Sequence, residues 1–289
     1  MLPGELQVQI LAKNRKYFTV QISLLIKSAP GVRLESSFAL FKTETFRRLP
    51  DLRPPTEGLL EIGLTRALSV REERLSTRAD ACRLLYVSDI HLRSGRSELL
   101  CRDVVDAAAR SSPDVVLLGG DLIDSSSSVS QLSDLVRRLR GLAPVLAIGG
   151  NHDQRIGLGR VRSAVEHGGG QWIHDRTVRV THHERAIAIS GPGAAGSLAA
   201  DVKVLCAHNP RIWKTCRNGG YDLVLAGHLH GCQIVVCEYR DRLFPGALLY
   251  PYCFLTHKHG STRLVVSRGV SDLLPVRWRC PREVVLCLV

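Results

Sequence analysis

Short apolar runs that stop at polar, glycine-rich clusters set the pattern in the middle of this chain. Residues 84–87 lead into Ser88-Asp89, residues 115–118 into Gly119-Gly120-Asp121, and residues 145–148 into Gly149-Gly150-Asn151. Runs of this length bounded by such clusters predict buried strands. Between them, 98–110 and 129–139 carry apolar residues at helical spacing. Strand and helix in alternation predict an α/β layered fold. Further strands are predicted at 186–190, 202–207, 223–226, 234–237, 263–266 and 284–289, with fewer helices between them. That change points to a second, more antiparallel sheet packed on the first, with helices outside.

The amino-terminal segment reads differently. Strands predicted at 7–11 and 17–26 flank the polar turn Lys13-Asn14-Arg15-Lys16. Pro50, Pro54 and Pro55 then mark an irregular connection before a strand at 60–70. The expected organisation is an extension over 1–57, whose role is not legible, and a main domain over 58–289. No internal repeat is present, and Ser125 to Ser128 form a brief polar loop.

The candidate chemistry sits where the predicted strands end. Residues at the carboxyl ends of strands in an open α/β sheet face the crevice where ligands bind, so Asp89, Asp121 and Asn151 should converge. In Asp89-Ile90-His91 an extended backbone would send both polar side chains to one face and Ile90 to the other, and His228-Leu229-His230 repeats the spacing. A carboxylate is a hard oxygen donor and a neutral imidazole a borderline nitrogen donor. The mixed set suits Mn, Fe or Zn, whereas magnesium alone would take more oxygens. The glycines beside Asp121 permit a tight turn, and its two carboxylate oxygens could bridge two ions.

Taken together, Asp89-Ile90-His91, Gly120-Asp121-Leu122-Ile123-Asp124, Gly150-Asn151-His152-Asp153, Ala207-His208 and Gly227-His228-Leu229-His230-Gly231 resemble the motifs of the calcineurin-like metallophosphoesterases, in the family's order, from roughly residue 60 to the end. The resemblance implies two packed mixed β-sheets flanked by helices, a four-layer αββα sandwich. It implies one divalent ion on Asp89, His91, Asp121 and His230, and a second on Asp121, Asn151, His208 and His228. His152 would meet the substrate and assist the leaving group, Asp124 would orient that imidazole, and Asp153 would support the site without binding metal. The expected reaction is hydrolysis of a phosphoester or pyrophosphate bond by hydroxide generated between two ions about 3.5–4 Å apart, with no covalent phosphoenzyme. Within the family, Gly227 to Gln233 and the tail Val266-Ser267-Arg268-Gly269 and Leu274-Pro275-Val276-Arg277 resemble a bacterial branch related to UDP-2,3-diacylglucosamine pyrophosphatase. Its members are often membrane-tethered, and some act on cell-envelope or lipid precursors. Cys232 stands where that branch usually has glycine.

Composition narrows the partners more than the reaction. Of 289 residues, 45% are apolar, enough for a sizeable core. Lysine and arginine outnumber the acids 39 to 27, a formal charge of +12 that favours an anionic substrate, nucleic acid or membrane surface. The chain has no dense basic stripe interleaved with aromatics, and 5% aromatic content ranks nucleic acid low. The nine cysteines show no C-x-x-C pair and read as reduced thiols of a cytoplasmic protein filling the core, with Cys206 and Cys232 nearest the proposed ligands in sequence. No run reaches the ~18–20 apolar residues needed to span a bilayer. Cytoplasmic placement with peripheral contact at an anionic inner membrane is the expectation.

His167, His174, His182, His183, His257 and His259 lie outside the motifs and read as structural. Arg93, Arg96 and Arg155 are candidates to meet substrate phosphate, though solvated surface charge is the commoner role. The glycine pairs contain neither G-x-G-x-x-G nor G-x-x-x-x-G-K, which excludes a nucleotide-binding loop. Serine/threonine phosphatases of the family usually carry Arg-Gly where this chain has Ser125-Ser126, and glutamate where it has Asp153, which argues against protein phosphatase activity. The alternatives are a nucleic-acid or cyclic-nucleotide phosphodiesterase and a non-catalytic binding protein on the same scaffold.

Overall fold

The apolar runs at the centre of the sequence form adjacent strands of one sheet. The computed structural model describes the strands Gly4–Asn14, Tyr17–Ile26 and Arg33–Lys42, and residues 60–289 other than 65, 94, 196–198 and 273. The first sheet has the order Ser69–Arg74, Glu283–Leu288, Arg83–Val87, Val115–Gly119, Val145–Ile148, Gln171–Trp172. Its last four strands are parallel, with Leu84 opposite Val115, Val116 opposite Val145 and Leu146 opposite Gln171. Their carboxyl ends therefore share one edge, which is what brings the loops after them together.

The second sheet has the order Thr177–His182, Arg185–Ser190, Val202–Cys206, Leu223–Ala226, Thr262–Val266, Thr256–His259. Three of its pairings are parallel and the two outer ones antiparallel, against a single antiparallel pairing in the first sheet, so it is the more antiparallel of the two, as the sequence suggested. The strand expected at 284–289 belongs to the first sheet, antiparallel to Arg83–Val87. The strand expected at 60–70 is two strands. Leu60–Ile62 pairs with Val276–Trp278, Gly63 turns at a φ of 67°, and Ser69–Arg74 lines the edge of the first sheet. The strand expected at 234–237 is Val235–Tyr239, which pairs with Arg242–Pro245 outside both large sheets.

Side chains alternate across each strand, and that alternation builds the layers. Leu85 and Val87 face Leu100, Val104, Leu135, Val136, Val161 and Val165 of the helices Ser97–Ser111, Val129–Arg140 and Leu158–His167. Leu84 and Tyr86 point the other way, into a core shared with Ile187, Ile189, Val204 and Leu225 of the second sheet. The far face of that sheet carries Leu205, Val224 and Leu264 against Trp213 and Cys216. This fourth layer is thin, because the helix Trp213–Cys216 has one turn. Arg110 in the last turn of the first helix and Arg137, Arg138 and Arg140 in the second lie where the helix dipole favours cations.

The chain divides into two units, Met1–Leu52 and Arg53–Val289. In the first, three antiparallel strands lie in sequence order, with Gly4 opposite Ile26 and Leu25 opposite Arg33. The first strand begins earlier and runs further than expected, and Arg33–Lys42 was missed because Glu35-Ser36-Ser37 dilutes its apolar pattern. Of the expected turn, residues 15 and 16 lie outside the described residues.

Candidate metal centre

Beyond the parallel strands the chain keeps its pairing for a few residues. Asp89 N–H donates to the Gly120 carbonyl (3.0 Å), His91 N–H to that of Asp121 (3.0 Å) and Leu92 N–H to that of Leu122 (2.9 Å), so the first two loops run side by side. The backbone there is left-handed, not extended. Asp89, His91, Asp121, His228 and His230 all have positive φ, from 49° to 73°. The expectation that an extended Asp89-Ile90-His91 aims both side chains to one face is therefore corrected: two left-handed turns aim them. L-residues resist this conformation by roughly 1–2 kcal/mol each, and it persists where the surroundings over-determine it.

Glycines supply space for close approach more than bending. A Cβ on Gly150 would collide with the Asp121 carboxylate, and one on Gly227 with the side chains of Asp89 and Ser88. Gly120 combines both needs, with a φ of 91° and Gly150 N at 2.7 Å from where its Cβ would stand.

Six of the seven expected ligands fall into sets whose donor atoms lie within 4.8 Å of one another: Asp89, His91 and His230 in one, and Asp121, His208 and His228 in another. Asp121 also groups with His91 and His152. Its Oδ2 is 3.1 Å from His208 Nε2 and 3.8 Å from His91 Nε2, so this carboxylate stands between the two sets. The seventh, Asn151, is the partly exposed residue that opens the helix Asn151–Ile156.

Fixed tautomers make the nitrogen atoms ready to bind an electrophile. His91 Nδ1 is 2.7 Å from Asp124 Oδ1, and His230 Nδ1 is 2.9 Å from the Ser271 carbonyl oxygen. Both acceptors require Nδ1–H, which leaves each Nε2 with a lone pair. Those two Nε2 atoms face one another at 3.3 Å. Two lone pairs so placed repel unless a cation lies between them. His208 repeats the device, with Nδ1 3.0 Å from the Gly119 carbonyl and Nε2 toward Asp121. The Asn151 Oδ1 atom is buried without a hydrogen-bond partner. A buried amide oxygen with no donor is costly, and a divalent ion would satisfy it. The residues present fit a pair of divalent ions.

Burial and the charges of the site pull its imidazoles in opposite directions. Burial pushes the His230 imidazole down to about 4, keeping it a neutral ligand at pH 7. Burial would lower His208 too, but the hydrogen bond and charge of Asp121, with the charge of Asp89, raise it to about 9. Burial would raise Asp89, yet the neighbouring His230, His208 and His91 hold it below the ordinary carboxylate range. Its oxygens also accept from His228 N–H (3.0 and 3.1 Å) and Ser88 Oγ–H (2.7 Å).

His152 and Asp124 lie together at the mouth, with Nδ1 2.8 Å from Oδ1 and side chains 24% and 21% exposed, while Asp89, His91 and His230 lie at the bottom. Asp124 thus serves two imidazoles, His152 and His91, where the sequence suggested one. Asp153 is fully buried and accepts from the backbone N–H groups of Leu122 (2.9 Å), Ile123 (3.1 Å) and Gly150 (2.8 Å), tying two loops into one body. Sequence reasoning missed Ser271, whose carbonyl also accepts from Arg277 Nη2 at 2.7 Å and whose N–H donates to the Asp89 carbonyl at 2.9 Å. The tail signature around Arg277 was the signal available for it. Also missed was Arg211, an exposed cation whose charge reaches His228.

A family model described as Calcineurin-like phosphoesterase matches residues 82–232. Phosphodiesterase YaeI of Escherichia coli (strain K12) is 26% identical over 225 residues, covering 71% of this chain and 80% of that protein. The uncharacterized protein YpbG of Bacillus subtilis (strain 168) is 26% identical over 165 residues, covering 52% of this chain and 62% of its own length. Among solved structures, TT1561 of Thermus thermophilus is 15% identical with a TM-score of 0.44, covering 66% of this chain and 91% of that one.

Proposed function

The chain belongs to the calcineurin-like phosphoesterase family, a metal-dependent phosphoric ester hydrolase, and on that premise we propose that it is a phosphodiesterase that uses two divalent ions. Asp89, His91, Asp121 and His230 hold one ion, and Asp121, Asn151, His208 and His228 the other. The observation that carries this reading is the approach of His91 Nε2 to His230 Nε2 at 3.3 Å, with both Nδ1 atoms committed elsewhere. Two ions in such a site supply hydroxide at neutral pH and neutralise phosphoryl oxygens.

The chain's own residues do the rest. His152 stands at the solvent side, where a substrate enters, and Asp124 Oδ1 holds its Nδ1 proton. An imidazole so oriented presents its Nε2 toward the departing oxygen, where it can deliver a proton. Asp89, His91, His208 and His230 are buried and would keep water from the inner side of the bound ions. Diester preference is supported by the likeness to a protein named a phosphodiesterase. The charge of +12 supports an anionic substrate and extends the reading to lipid-linked phosphoesters or pyrophosphates at a membrane face. Among the described residues no helix is long and apolar enough to cross a membrane.

The test is hydrolysis of bis(4-nitrophenyl) phosphate and 4-nitrophenyl phosphate by chelator-treated protein, before and after addition of Mn, Fe or Zn. Activity should return with metal and favour the diester. Turnover that survives chelation would sink the metal-dependent reading, and preference for the monoester would sink the diester reading alone.

A further inference from the structure

A second set of ligand-type side chains lies at the other end of the sandwich. Cys82 and Asp114 immediately precede the parallel strands Arg83–Val87 and Val115–Gly119, whereas the metal centre lies beyond their carboxyl ends. His182 closes the edge strand Thr177–His182 of the second sheet. Cys82, Asp114 and His182 each bring one donor atom to within 4.8 Å of the other two. By sequence, His182 reads as a structural histidine and Cys82 as a core thiol; only the packing of two sheets joins them.

The Cys82 thiol hydrogen-bonds to Asp114, but the distance from Asp114 to His182 suits an ion better than a hydrogen bond. His182 Nδ1 and Asp114 Oδ2 are 3.6 Å apart, too long for a hydrogen bond. A nitrogen and an oxygen held tetrahedrally by zinc at about 2.0–2.1 Å are themselves separated by about 3.3 Å. A closure of a few tenths of an ångström would complete that edge. The backbone behind each donor is already fixed. Cys82 exchanges two backbone hydrogen bonds of 2.9 Å with Val289, Asp114 Oδ2 accepts from Arg83 N–H at 2.8 Å, and His182 is held opposite Arg185 in a hairpin. Arg185, whose charge reaches Cys82, turns its guanidinium onto the Val289 carbonyl oxygen at 3.2 Å. The Cys82 residue is buried, while the side chains of His182 and Asp114 are 20% and 35% exposed, so the cluster opens to solvent on its nitrogen and oxygen side.

We propose that Cys82, Asp114 and His182 form a zinc site that joins the two sheets at the end of the sandwich away from the metal centre. Sulfur, imidazole and carboxylate together suit zinc, with water in the fourth position. On binding, the Cys82 thiol loses its proton to solvent and the thiolate sulfur bonds the ion. The ion would fasten an edge strand of the second sheet to the first sheet, where those strands do not pair with each other.

Sulfur gives the test its selectivity, because the seven residues of the metal centre contain none. Full-length, chelator-treated protein is titrated with cobalt(II), and a thiolate-to-cobalt charge-transfer absorption is read. The band should saturate by about three equivalents per chain, the two-ion centre filling without adding to it, vanish in Cys82→Ser, and persist in Asp121→Asn. In His182→Gln, a change at a partly exposed position that keeps the sulfur, cobalt should bind more than about tenfold more weakly, since losing even a group behind a ligand costs about 10- to 100-fold. Absence of the band while cobalt still binds would overturn the site, as would a band that survives in Cys82→Ser. If Cys82→Ser does not fold, His182→Gln decides, and unchanged cobalt affinity there refutes the proposal.

Discussion

Replacing Glu283 with glutamine removes a single charge from the inside of the first sheet. The Glu283 side chain is fully buried and accepts from Arg71 Nε (3.1 and 3.2 Å), from Arg268 Nε (2.8 Å) and Nη2 (2.5 Å), and from the Arg268 backbone N–H (3.0 Å). Burial would raise its pKa, but the two guanidinium groups outweigh burial and hold it at about 2, against an ordinary value of 4.5. A depression of that size corresponds to about 3 kcal/mol of stability at neutral pH. The folded pKa lies below the unfolded one, so this contribution is present above about pH 4.5 and is lost as pH falls toward 2. Glutamine has the shape of the protonated acid, so Glu283→Gln should be about 3 kcal/mol less stable than the parent at pH 6, with the gap closing as the parent is acidified. The assay is urea unfolding of both chelator-treated proteins at several pH values between 6 and 2.5, which removes metal loss from the comparison. A gap below 1 kcal/mol at pH 6, or one that stays constant across the range, would refute the reasoning.

Asp121→Asn should hold well under two metals per chain by elemental analysis, because one charged donor serves both ions; full metal content with full activity would contradict the bridging role. His152→Gln should keep its metal yet lose about 100- to 10,000-fold on a diester with an alkoxide leaving group, and less on a nitrophenyl ester, whose leaving group needs no proton; equal losses would leave His152 as a phosphoryl-binding group. Asp153→Ala leaves the N–H groups of Leu122, Ile123 and Gly150 buried without their acceptor, and at about 1–3 kcal/mol for each the protein should lose roughly 3 kcal/mol or more in urea. Finally, the +12 charge predicts sedimentation with anionic vesicles that weakens as salt rises; no binding at low salt would remove the membrane-face reading and leave the catalytic one intact.

The order and type of the candidate ligands are legible in the sequence because each lies at the end of a short apolar run. A buried parallel strand needs every side chain apolar on both faces, so Leu84 to Val87 and Val115 to Leu118 announce themselves, and the polar residues that stop them mark the functional edge. The donors Asp, His and Asn are likewise local facts, which is why the donor chemistry of the candidate site can be written from sequence alone.

What sequence cannot express is which distant segments share a layer and how the backbone turns at a single residue. Glu283–Leu288 enters the first sheet between Ser69–Arg74 and Arg83–Val87, a pairing across some two hundred residues that local pattern does not encode. The left-handed turns at Asp89, His91, Asp121, His228 and His230 are unfavourable locally and exist because neighbouring loops hold them, so local propensity predicts the extended form instead. Asp124 serves two imidazoles, the Ser271 carbonyl fixes the tautomer of His230, and Cys82 meets His182 only because two sheets pack face to face. Ligand chemistry is a property of side chains and was legible, whereas tautomer, bridging and the meeting of sheets depend on contacts between segments far apart in the chain, which tertiary packing alone decides.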